Sequence, residues 1–179
     1  MVCWFNHLIK ANVMKKTFLA VMLISLLLSE ARAQESADLE SESRNVASAF
    51  MGAANFVVGR IGIECLGVLG RLETPREYVH IWQERNAKYY DASTKYVAKK
   101  MEAAFASGGN VARDAVLKEY SAIVRKEAEG TIVDWIGRGN KKDSCQRAVM
   151  LIDRGILDVN PEMPIYQDLQ SLLNWSVMN

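Results

Sequence analysis

Apolar residues recur at helical spacing from Val46 onward. Val46, Phe50, Ala54, Val57, Ile61, Cys65, Val68 and Leu72 lie three or four residues apart. That spacing predicts one apolar stripe along a helix of about seven turns. Cys65 falls on the stripe, so its sulfur is expected to face inward. The same stretch carries Gly52, Gly59, Gly62, Gly67 and Gly70. Each costs about 1 kcal/mol against alanine inside a helix. Two explanations follow, close approach by another helix or a kink near residues 67–70.

Thr74-Pro75-Arg76-Glu77 is the sharpest local signal. Threonine can cap, proline suits the first helical position, and a glutamate three residues after the cap can reach back to its amide. A second helix is therefore expected from Pro75 to Ala106, closed by Ser107-Gly108-Gly109. A third, with Asn110 available as its cap, runs from Val111 to Ile136, with Leu117, Tyr120, Val124, Ala128, Thr131 and Trp135 near one face. Residues 137–142 (GRGNKK) read as a loop. Asp143 is expected to cap a fourth helix, on which Cys145, Val149 and Ile152 share a face. Gly155 should end that helix. Pro161 and Pro164 bracket a turn, and Ile165 to Val177 forms a closing helix. No strand-like alternation, hairpin dipeptide or repeat is found. The expected fold is all-α, a small bundle of four to five helices with one interhelical disulfide.

The N-terminal region has a different pattern. Met14-Lys15-Lys16 precedes thirteen uncharged, mostly apolar residues, Thr17 to Ser29, and then Ala31-Arg32-Ala33. A basic flank, a short apolar run and small residues at the cleavage positions describe a secretory signal peptide. A membrane anchor is the competing reading, but spanning a bilayer needs about 20 apolar residues. The expected organisation is a leader over 1–33, with Met14 as an alternative start, an acidic flexible lead-in over 34–43, and one helical domain over 44–179. Such a chain is exported to the periplasm and keeps no membrane attachment after cleavage.

Composition is that of an ordinary soluble domain, with 179 residues, 50% hydrophobic and 24% charged. Removing residues 1–33 takes Lys10, Lys15, Lys16 and Arg32 from 22 basic residues and Glu30 from 21 acidic ones. The formal charge then moves from +1 to −2. No domain-wide positive field remains to hold a phosphate backbone, so nucleic acid is not an expected partner.

Cys3 leaves with the leader, and Cys65 and Cys145 remain. An even pair in an exported chain favours a structural disulfide over a reactive thiol, although Cys145 near a helix start suits a thiolate. Closing a loop of about 80 residues is worth on the order of 4 kcal/mol in the chain-entropy model.

The candidate chemistry is sparse. After cleavage His80 is the only histidine. No nucleophile elbow accompanies it, the His and Cys supply cannot build a zinc site, and the C-x-x-C-H of covalent haem is missing. No cofactor or metal is expected. Gly137-Arg138-Gly139 lacks the strand and spacing of a phosphate loop. What remains there is an exposed polar tip, Arg138, Asn140, Lys141, Lys142 and Asp143, suited to contacting a protein partner. Arg60 and Glu64, four apart, form either a self-neutralising pair or a carboxylate shifted by an apolar pocket. Tyr78, Trp82, Tyr89 and Tyr96 align down the second helix as core or as a stacking platform. If a pocket exists, Arg60, Glu64, Tyr78, Trp82 and Tyr89 are its candidate lining. Asn174-Trp175-Ser176 matches a glycosylation sequon.

Cys65 in an early helix, a long helical middle, then Ser144-Cys145 followed by Ile156-Leu157-Asp158 and a final helix form a recognisable arrangement. It resembles the periplasmic immunity proteins of bacterial type VI secretion, the Rap/Tai amidase-immunity group. The resemblance implies a small exported all-α protein that blocks a cell-wall amidase, in some cases as a homodimer. On that analogy Cys65 and Cys145 form the staple, and the loop over 137–143 is the inhibitory contact. The expected function is therefore non-enzymatic protein binding. A periplasmic carrier of a small apolar ligand is the first alternative, and a carboxylate-dependent hydrolase the second.

Overall fold

In a computed structural model, residues 41–179 are described. They form five helices and no strand: α1 (Glu42–Cys65), α2 (Pro75–Arg85), α3 (Ala87–Ile136), α4 (Lys141–Asp153) and α5 (Tyr166–Met178). The leader, the start at Met14 and the lead-in up to residue 40 lie outside the described residues.

The apolar stripe makes α1 the central element, and each of the other four helices packs on it. Ala47, Met51, Ala54, Val57, Val58, Ile61 and Cys65 are all buried. By length and composition α1 could cross a bilayer, with a mean hydropathy of 1.5, yet half of its most apolar stretch is covered by the bundle. Two boundaries differ from the sequence expectation. Glu42 and Ser43, assigned to the lead-in, form the first turn of α1, and Ser43 Oγ donates to Asp168 of α5 at 2.6 Å. At the other end the helix stops at Cys65, because the chain turns back and Arg71 N donates to Leu66 O. Val68 and Leu72, read as the last members of the stripe, are 43% and 99% exposed.

The capping box forms as read. Thr74 Oγ1 accepts from Glu77 N, and the Glu77 carboxylate accepts from Thr74 N at 2.7 Å. However, the helix begun there ends at Arg85 rather than Ala106. Asn86, only 3% exposed, interrupts it with its side chain. Its Nδ2 donates to Trp82 O and to Asp158, and its Oδ1 accepts from Val159 N at 2.8 Å. Arg85 binds the same Asp158 at 2.8 Å and the carbonyl of Ile152. Thus the break clamps the segment after α4 onto the α2–α3 junction.

The expected helix break at Ser107-Gly108-Gly109 is present inside α3, where both glycines leave helical geometry and the chain reverses. Ser93 on the outgoing arm and Tyr120 on the returning arm both bond Ser48 of α1, at 3.4 and 3.0 Å. The arms over 87–107 and 110–136 are therefore antiparallel. On the returning arm only Val124 and Ala128 are fully buried, so the predicted face is narrower than its six members. Asn140 caps α4 instead of Asp143, its Oδ1 accepting from Lys142 N and Asp143 N. Cys145, Val149 and Ile152 are buried together, and Gly155 ends the turn at φ +80. The closing helix buries Leu169, Leu172 and Trp175, with Trp175 edge-on to Tyr96.

Cys65 and Cys145 are bonded, joining α1 to α4 with a Cα–Cα distance of 5.1 Å. The all-α bundle with one interhelical disulfide is the fold.

Candidate partner-binding loop and interhelical cleft

The loop between α3 and α4 is held at several points, each traceable to its sequence. Asn140 has a short amide side chain and closes the first turn of α4. Ser144 Oγ donates back to Arg138 O at 2.7 Å, which fixes the path through Gly139. Lys141 Nζ lies 2.8 Å from Glu64, the last charged residue of α1. One residue along from Glu64 and one helical turn along from Lys141, the Cys65–Cys145 disulfide closes the same junction.

Glu64 is also paired with Arg60 at 3.0 Å. The self-neutralising reading of that pair is the observed one, with Lys141 as a third member. The hydrogen bond from Lys141, then its charge, hold the Glu64 carboxyl below the usual glutamate range. Of the five tip residues named from the sequence, Asn140 and Lys141 are thus engaged with the scaffold. Arg138 and Lys142 remain available on the surface. Arg138 is 80% exposed and reaches only Asp134, at 3.9 Å. Asp143 is exposed and lies beside the capping amide bonds.

The residues proposed as a pocket lining are packed elsewhere. Tyr78 is buried, and its hydroxyl donates to Asp153 at 3.2 Å; burial, chiefly, raises its pKa. Trp82 is buried and donates to Leu157 O. The buried Tyr89 ring places its hydroxyl 2.6 Å from Gln170 Nε2, which donates to it. This stripe is core, as its spacing allows. His80 sits on the surface beside Glu84 at 3.4 Å. Among the described residues no group of three His, Cys, Asp or Glu side chains is placed to hold a metal.

A cleft of about 460 Å³ opens instead between α1 and the two arms of α3. Phe56, Tyr90, Val97, Met101, Tyr120, Val124 and Arg125 line it, together with small and polar residues. None of Arg60, Glu64, Tyr78, Trp82 and Tyr89 does. Sequence reasoning missed this cleft because it lies between arms whose antiparallel pairing depends on contacts to Ser48. The one available signal was the Ser107-Gly108-Gly109 break.

Compared with protein-family models, curated proteins and solved structures, the chain matches none.

Proposed function

We propose that this protein is exported and acts by binding another protein through the 137–143 loop, as an inhibitor of a periplasmic cell-wall amidase. The rigid mounting of that loop is the observation that carries the reading. Binding costs roughly 0.5–1.5 kcal/mol for each flexible side chain that must be ordered, and a loop already fixed avoids part of that cost. Here the disulfide, the Asn140 cap, the Ser144–Arg138 bond and the Lys141–Glu64 pair fix the backbone. Arg138 and Lys142 are left to meet a partner. The disulfide also supports export, since such bonds persist in oxidising compartments.

One further fact weighs against the hydrolase alternative. A general acid needs a carboxyl with a raised pKa. Among the described residues the carboxyls that move, Glu64, Glu73 and Glu77, move down: Lys141 lowers the first, Arg71 the second, and bonds from Thr74 the third.

The test is co-purification from periplasmic extract of the native host. A single stoichiometric cell-wall hydrolase should accompany the wild-type protein and lose activity in the complex. Arg138→Glu with Lys142→Glu should release it while leaving the thermal midpoint unchanged. Retention of the hydrolase by the doubly reversed variant would overturn the reading.

A further inference from the structure

The cleft between α1 and the arms of α3 carries an uneven charge lining. Among the described residues Arg125 is its only charged group, and no carboxylate lines it. Arg125 makes no ion pair among the described residues. Its apolar wall is Phe56 from α1, Val97 and Met101 from the outgoing arm and Val124 from the returning arm, while Asn55, Thr94 and Ser121 add uncharged polar groups.

The space is held open by the same contacts that dock the arms. A Cβ on Gly52 would lie 2.6 Å from both Tyr120 Oη and Val124 Cγ2, so the returning arm already rests on the α1 backbone. Tyr120 bonds Ser48 O, and Ser93 bonds the same serine from the other arm. Both arms are thus tied to α1 at the same residue. The cleft is open to solvent at Thr94, Ala98 and Arg125, so a ligand can reach the apolar side chains inside it.

Size and charge select that occupant. The 460 Å³ volume falls within the range of roughly 300–1,000 Å³ typical of small-ligand sites. A docked helix, about 10 Å across, would fit for only about one turn. The lone arginine favours an anion, and the apolar walls favour an alkyl chain. We propose that the cleft binds a single-chain amphipathic carboxylate of the medium-chain fatty acid class, with the chain between Phe56, Val97 and Met101 and the carboxylate at Arg125. This site is separate from the 137–143 loop and does not rest on the function proposed for it.

Titration of the purified protein with submicellar decanoate, decyltrimethylammonium and decanol tests the assignment. Decanoate should bind one per chain, and the cation of equal chain length should bind at least about fivefold more weakly. Arg125→Gln should weaken decanoate about fivefold and leave decanol unchanged. Ala98→Phe, at an exposed position on the cleft wall, should abolish binding of both while the protein still unfolds cooperatively. No binding of decanoate by the folded wild-type protein would overturn the site. Equal binding of the cation, or an Arg125→Gln variant indistinguishable from wild type, would overturn the charge assignment.

Discussion

Gly52 and Glu64 show how single side chains set contacts far from their own helix. At Gly52 the missing Cβ is the space in which Tyr120 and Val124 sit. Tyr120 is pinned through its hydroxyl to Ser48 O at 3.0 Å, so it cannot yield without losing that bond. Gly52→Ala should therefore destabilise the protein by about 1–3 kcal/mol despite alanine's better helix propensity, as overpacking does. Urea unfolding checks this, and a stabilised variant would show that the returning arm can move. Glu64 gives a pH dependence. Its carboxyl is held below the ordinary value of about 4.3, so its ionisation stabilises the fold at neutral pH. That contribution is present above the unfolded value and disappears as pH falls through the folded one. Both partners are partly exposed, which limits the effect to under about 1 kcal/mol. Glu64→Gln should accordingly lose less of its thermal midpoint between neutral and acidic pH than wild type does. An equal loss in both proteins would place the acid sensitivity elsewhere, with Glu73 and Glu77 next in line.

At the level of elements, the reversal in α3 depends on one backbone conformation. Gly109 has φ +65 and ψ −154, a region essentially reserved for glycine, and a Cβ there would meet nothing within 4 Å. Gly109→Ala should therefore cost about 1–3 kcal/mol through the backbone alone. Gly67→Ala, also free of neighbours but without a positive φ, is the control and should be neutral or slightly stabilising. Chemical denaturation of both variants separates strain from crowding; equal midpoints would refute the strain argument. Elements with local causes were legible in the sequence: the Thr74–Glu77 box, the Ser107-Gly108-Gly109 break and the Gly155 stop each act within a few residues. The break at Asn86 was not legible, because its bonds go to Asp158 and Val159, more than seventy residues away. The end of α1 was hidden for a related reason. Val68 and Leu72 keep helical spacing in a segment that turns away to let Arg71 reach Asp153 at 3.0 Å. Of the candidate site, the exposed loop could be read locally. The cleft could not, since it exists only once two arms meet a third helix.

For the whole molecule, the disulfide decides how far α4 and its loop can separate from the core. Residues 66–144 leave α1, build α2 and the long α3 hairpin, and return to within 5.1 Å of their origin. Without the bond, two positions 80 apart in sequence must be brought together by packing alone. The chain-entropy model assigns the closure about 4 kcal/mol, a large share of a typical domain stability of about 5–15 kcal/mol. Both cysteines are fully buried, so replacing them also tests local packing. Cys65→Ala with Cys145→Ala should lower the unfolding free energy by about 2–5 kcal/mol. Reductant should then leave the variant's denaturation midpoint unchanged while lowering that of wild type. The loss should not fall evenly. Amides of residues 138–145 should lose hydrogen-exchange protection before those of α1 and α5, because the bond and the Lys141–Glu64 pair anchor that loop to α1. Uniform loss of protection across the bundle would mean that the loop has no separate stability for the disulfide to control. The rigidity on which the proposed partner contact depends would then belong to the fold as a whole.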